Sequence, residues 1–190
     1  ELVVAGPSGN FGNITAGLFA KRMGLPVKRF VAANNLNDIF LQYLHTGVYA
    51  PRPSVATVAN AMDVGDPSNF ARILDLYQGD VDAVRADVEG CSFDDTEIKE
   101  CIARVYAKEK YLLDPHGACG YLGLEECLRE GETGMLLETA HPAKFPDTVE
   151  DAIGGKVEMP ATLEKFMSGT RQIVGMSADF EDFKHWLSVN

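Results

Sequence analysis

The opening of the chain constrains it most. Leu2-Val3-Val4-Ala5-Gly6-Pro7 begins as a short buried strand, Ser8-Gly9-Asn10-Phe11-Gly12-Asn13 is a glycine-rich turn, and residues 14–23 read as a helix stopped by Gly24. A helix N-terminus carries unpaired N–H donors and about half a positive charge, so this order of elements builds an anion site. Gly9 and Gly12 let the backbone approach an oxyanion with no Cβ in the way, and Asn10 and Asn13 can add amide donors. Two familiar phosphate loops fit poorly. A nucleotide P-loop ends in Gly-Lys-Ser/Thr, and no lysine precedes Lys21. A dinucleotide fingerprint needs Gly-x-Gly-x-x-Gly, whereas Gly6, Gly9 and Gly12 are evenly spaced. The bland alternative is an ordinary strand-to-helix turn that happens to be rich in glycine.

Beyond the loop, strands and helices alternate. The pattern predicts a strand over residues 27–33, a helix over 38–45 ending at Gly47, and another over 68–77. Residues 79–95 are acidic and irregular and read as a solvated connection. Asp95 or Thr96 is expected to cap a helix over 97–110. Asp114 is placed as an N-cap with Pro115 as first helical residue, because proline lacks the donor that would be orphaned there. That helix is predicted to run to Arg129 and stop at Gly131. A strand over 134–140 would then deliver Thr139 and His141 to its carboxyl end, with short helices over 147–153, 161–167 and 178–187. Alternation of this kind argues for an α/β fold: a largely parallel sheet with helices on both faces and ligands at the strands' carboxyl ends. No repeat, low-complexity tract or composition shift marks a domain boundary.

Pro7-Ser8-Gly9-Asn10-Phe11-Gly12-Asn13 resembles the phosphate loop of the threonine synthase family, pyridoxal-phosphate enzymes of the tryptophan synthase β-like fold type. The resemblance continues in order through Val27-Lys28-Arg29-Phe30-Val31-Ala32-Ala33-Asn34-Asn35 with Asn37-Asp38, and through the block from Asn60 to Asn69. It extends to Asp114-Pro115-His116-Gly117-Ala118 and Thr139-Ala140-His141-Pro142-Ala143-Lys144-Phe145, with a looser match from Ser177 onward. It implies that Gly9, Asn10, Phe11, Gly12 and Asn13 surround the phosphate of pyridoxal 5'-phosphate, with the backbone N–H of Phe11 binding and its ring plugging the core. It also implies that Thr139 faces the pyridine nitrogen, where a hydroxyl gives a hydrogen bond without the charge of an aspartate. Without that block, Thr139 reads as a strand threonine satisfied by backbone. His116, His141 and Lys144 are of a type that can touch a substrate carboxylate or phosphate, against the commoner reading of packed histidines and a surface lysine; Asn34, Asn35, Asp38, Asp63 and Asp66 read as caps and turn formers, and no role is assigned to any of these.

In this family the lysine that holds the cofactor covalently lies ahead of the glycine loop, yet all nine lysines here follow it. The expectation is therefore that residues 1–190 are the C-terminal part of the large cofactor-binding domain, with no catalytic residue of their own and no turnover in isolation. The implied reaction of the intact enzyme converts O-phospho-L-homoserine and water to L-threonine and phosphate. The alternatives are a related phospholyase or dehydratase, or a non-catalytic phosphate-binding module.

A net charge of −11 argues against nucleic acid and anionic lipid as partners. No run approaches the roughly 18 apolar residues of a membrane span, and a cytoplasmic setting is expected. Cys91, Cys101, Cys119 and Cys127 show no Cys-x-x-Cys or metal-ligand spacing and read as reduced, small apolar side chains. A sheet interrupted at its first strand would leave an unpaired edge, so self-association is expected.

Overall fold

The computed structural model describes all 190 residues and divides into two compact units, residues 1–158 and 159–190. Unit one is built on four parallel strands, β1 (Leu2–Pro7), β2 (Val27–Asn34), β3 (Val88–Ser92) and β4 (Thr133–Leu136), in the order β3-β2-β1-β4. Val4 pairs with Phe30 on one side and Met135 on the other, and Val31 pairs with Glu89.

Both faces of the sheet are covered, which is why β1, and β2 from Phe30 to Ala33, are continuously apolar instead of alternating. Val3, Ala5, Val31 and Ala33 pack with residues of α5 (Asp95–Glu109), α6 (Pro115–Cys127) and α7 (Pro146–Ile153). Val4, Phe30 and Ala32 pack with α1 (Gly12–Arg22), α2 (Ile39–Thr46), α3 (Phe70–Leu76) and α4 (Val81–Asp87). Parallel strands put all their carboxyl ends at one edge, so the segments after β1, β2 and β4 come together there.

Three expectations need correction. Residues 79–95 are not a solvated connection: they form α4 and the edge strand β3. Asp80 caps α4 by accepting from Asp82 and Ala83 N–H, and Val84, Val88 and Cys91 are buried. The acidic residues that made this stretch look solvated lie on the outer side of an amphipathic helix and at the sheet edge. The α5 cap is Asp94 rather than Asp95 or Thr96, in a reciprocal capping box with Glu97. Finally, β1 is no unpaired edge, because it is hydrogen-bonded to β2 and β4. The sheet's edges are β3 and β4, and β4 is shorter than expected, which leaves Glu138, Thr139 and His141 in the segment beyond it.

The second unit holds α8 (Ala161–Met167) and α9 (Phe180–Val189), the latter capped by Asp179, whose carboxylate accepts from Glu181 N–H at 2.8 Å. No helix of the chain is long and apolar enough to cross a membrane.

Candidate functional site

The loop after β1 departs from ordinary helix capping. An N-cap is normally Ser, Thr, Asp or Asn, whose side chain covers an orphan N–H. Here the residue before α1 is Phe11, which offers no side-chain cap. Asn13 Oδ1 accepts from Ile14 N–H at 2.8 Å, but the N–H groups of residues 9–13 find no protein acceptor. Phe11 sits in the left-handed region at φ 60°, ψ 21°, immediately before the right-handed turn of the helix. That alternation of hand curls successive N–H groups into an anion-binding concavity.

A left-handed backbone costs a non-glycine residue about 1–2 kcal/mol. The ring repays it: Phe11 is 2% exposed, and its centroid lies 4.5 Å from that of Phe40. Burying a phenylalanine contributes about 1.5–3 kcal/mol, enough to hold the strained backbone in place. The side chain therefore anchors the loop from below.

The neighbours fix the rest of the loop. Ser8 N–H donates to Ala33 O at 2.9 Å, and Asn34 Nδ2 donates to Ser8 O at 2.7 Å. Asn13 Nδ2 donates to Pro7 O at 2.9 Å, which ties one of its two amide N–H groups to the loop. Asn10 Oδ1 accepts from Ser68 N–H and Oγ, tying the loop to the segment before α3 and leaving the Asn10 amide N–H₂ free of protein partners.

The loop opens onto a cleft of about 210 Å³ lined by Gly9, Asn10, Phe11, Gly12 and Asn13 together with Met62, His116 and Thr139. Thr139, 126 residues beyond Asn13 in the chain, is thus brought to the same cleft as the loop. It is exposed there, and the surrounding hydrogen bonds run through His116, His141 and Ala143 rather than its hydroxyl. His116 and the turn at Asn60–Met62 are lining groups that the sequence reading left unassigned.

His116 belongs to a buried polar chain. Its Nδ1 lies 2.6 Å from Asp114 Oδ1, and its Nε2 accepts from Ala61 N–H at 3.1 Å. A ring nitrogen that accepts a backbone N–H carries no proton, so the imidazole is neutral with its proton on Nδ1. Burial pushes Asp114 upward, but hydrogen bonds from His116 and Glu138 outweigh it and hold the carboxyl below its ordinary value. Glu138 goes the other way: burial, then the adjacent Asp114 carboxyl, raises it to about 8.

The other unassigned residues lie elsewhere. His141 Nδ1 accepts from Ala143 N–H within its own turn. Lys144 lines a separate cleft of about 440 Å³ with Asp95 and Asp147. Asn35, Asn37, Thr57 and Asp63 hydrogen-bond to one another as an internal network, Asp38 pairs with Arg52, and Asp66 accepts from Tyr49 Oη at 2.7 Å.

The family described as pyridoxal-phosphate dependent enzyme matches residues 2–136, and that described as threonine synthase, C-terminal, matches residues 117–186. The threonine synthase of Haemophilus influenzae is 41% identical over 187 residues, covering 98% of this chain and 44% of that protein. The Escherichia coli threonine synthase is 42% identical over 163 residues, covering 86% of this chain and 38% of the relative. In three dimensions the chain is similar to the crystal structure of the Escherichia coli enzyme, with a TM-score of 0.85, 37% identity, and coverage of 98% of this chain and 43% of that one. It is equally similar to a pyridoxal-phosphate-bound threonine synthase from Brucella melitensis, with a TM-score of 0.85, 31% identity, and coverage of 98% and 45%. The chain thus spans under half the length of the relatives it matches. With its parallel sheet, its uncapped glycine loop and a profile match over most of its length, the chain belongs to the pyridoxal-phosphate dependent enzyme family.

Proposed function

We propose that this chain supplies the phosphate cradle and the pyridine-facing wall of a threonine synthase, which converts O-phospho-L-homoserine and water to L-threonine and phosphate. The observation that carries this reading is the set of unpaired N–H groups at residues 9–13, which share one cleft with the Thr139 hydroxyl.

The residues fit a phosphorylated pyridine. An anion at the start of α1 gains about 0.3–1 kcal/mol from the helix, up to about 2 when partly buried, with direct N–H bonds in addition. Glycine at position 9 brings the loop hard against the Met62 backbone, and glycine at position 12 keeps the cleft face free of a side chain. Thr139 offers a hydroxyl that donates to a neutral ring nitrogen and adds no charge beside it. When bound, pyridoxal phosphate supplies the electron sink for removing protons from the substrate carbons and expelling the phosphate group. The chain's own residues bind and orient the cofactor. None of its lysines lines the cleft, so on this reading the covalent attachment comes from a part of the longer relatives that this chain does not span.

The test is product analysis by the full-length protein loaded with pyridoxal phosphate and given O-phospho-L-homoserine. Threonine and phosphate in equal amounts support the reading. Phosphate with a keto acid identifies a phospholyase or dehydratase, and cofactor binding with neither product leaves only a phosphate-binding module.

A further inference from the structure

Glu138 is a half-buried carboxyl, with Oε2 shielded from solvent, that the proposed function does not use. It lies in the segment following β4, next to Thr139, and packs on the first turn of α6, its carboxyl oxygens filling the space that a Cβ on Gly117 would take. Asp114 N–H points at its Oε1 from 3.4 Å, while Oε2 is buried with no partner. Gly117 brings the two carboxyls to one spot, since its N–H donates to Asp114 Oδ2 at 3.4 Å while the Glu138 oxygens lie over its Cα.

Two adjoining carboxyls, one buried and one half-buried, cannot both be ionised cheaply, and one proton shared between them resolves the conflict. The neighbours decide which keeps the charge. Asp114 receives His116 N–H at 2.8 Å, the imidazole Nδ1–H at 2.6 Å and Gly117 N–H at 3.4 Å, all donors that favour a carboxylate. The other titratable groups around Glu138 are Glu109, Tyr111 and Tyr121 from α5, the following loop and α6, and none is a cation. Placing the proton on Glu138 Oε2 turns the orphaned atom into a donor toward Asp114.

We propose that Glu138 is a positioning residue: protonated, it donates to Asp114, which locks His116 as the Nδ1–H tautomer, whose Nε2 in turn holds Ala61 N–H and so fixes the wall of the cleft that adjoins the glycine loop. The last link is tight, because the turn that Ala61 belongs to is the one Gly9 packs against. A Cβ on Gly9 would lie 2.5 Å from Met62 Cα and 3.2 Å from Ala61 O. A displaced 60–62 turn therefore releases the loop. Glu138 touches neither cofactor nor substrate in this scheme, and the link to cofactor affinity rests on the function proposed above.

The experiment follows the His116 imidazole nitrogens by NMR in the wild-type protein and in Glu138→Gln, alongside fluorescence titration with pyridoxal phosphate, between about pH 6 and about pH 10. Glutamine keeps the donor and cannot ionise. The wild type should show the Nδ1–H tautomer at neutral pH, a change in the His116 signals centred near 8, and a severalfold loss of cofactor affinity across the same range. Glu138→Gln should keep the neutral-pH tautomer and affinity while both pH responses, taken relative to wild type, flatten. An inflection that persists in Glu138→Gln, or a wild type without one, overturns the proposal, because a purely structural Glu138 predicts no such pH response. If cofactor fails to bind either protein while the His116 inflection is present and lost in Glu138→Gln, the positioning role stands and the cofactor reading falls.

Discussion

Gly9 and Met62 meet so closely that a Cβ on Gly9 would lie 2.5 Å from the Met62 Cα. The clash would be with backbone, which has no rotamer to escape into. Gly9→Ala must move either the loop or the 60–62 turn, and overpacking of this kind costs about 1–3 kcal/mol. Both a lower Tm and weaker pyridoxal phosphate binding are expected, read by thermal melts and fluorescence titration.

Gly12 offers the contrast. A Cβ there meets only Asn69 Nδ2, at 3.8 Å, and Gly12 is the first residue of α1. Alanine is a better helix residue than glycine by up to about 1 kcal/mol, so Gly12→Ala should melt at the wild-type temperature or above. Its methyl nevertheless takes up space in the cleft, and cofactor affinity should fall. Separation of stability from affinity at Gly12, against their joint loss at Gly9, is the signature of a binding loop; parallel changes in both variants would argue for a merely structural turn.

Thr139→Val tests the hydroxyl with little change of shape. The side chain is exposed, so stability should move by no more than about 0.5 kcal/mol. Loss of one hydrogen bond of about 0.5–1.5 kcal/mol predicts pyridoxal phosphate affinity reduced by roughly two- to tenfold. Equal affinity of the two proteins would remove Thr139 from the site.

Asp94→Ala serves as a control away from the cleft. Asp94 accepts from Thr96 N–H at 2.8 Å and Glu97 N–H at 2.9 Å, and Glu97 returns a bond to Asp94 N–H. Losing such a cap costs about 0.5–2 kcal/mol. Urea denaturation should show that loss with cofactor affinity unchanged.

Stability should also depend on pH through Glu138. Its carboxyl is raised from 4.5 to about 8 by burial and by Asp114. Between those values the folded protein keeps a proton that the unfolded chain has released. The contribution is therefore whole below the ordinary carboxyl range and is lost progressively as pH rises to about 8. Urea midpoints for wild type should decline over that window relative to Glu138→Gln. Parallel curves for the two proteins would contradict the raised value.

Several elements were legible because a few neighbouring residues decide them. The strand, turn and helix of residues 2–22 follow from an apolar run, two glycines and a helical stretch. Asp114 and Pro115 start α6 as expected, since capping is settled within one turn. Where short-range cues were shared between two partners, they misled. Asp94 and Asp95 both look like caps, and only the backbone path selects Asp94. In α4 and β3 the acidic side chains masked Val84, Val88 and Cys91, whose burial depends on a sheet that the segment itself does not encode.

The sequence by itself determined the alternation of strands and helices, the glycine loop and the kinship to pyridoxal-phosphate enzymes, all of which are written in contiguous residues. Only the tertiary structure decided which distant groups meet at that loop. Ala61, His116, Glu138 and Thr139 have no mutual spacing to read, and parallel strands gather the segments bearing them at one edge of the sheet. The fold likewise tied one Asn13 amide N–H to Pro7 O and set Glu138 beside Asp114. A side chain's partners and its charge depend on what packs against it, and that is set by chain segments far away in sequence.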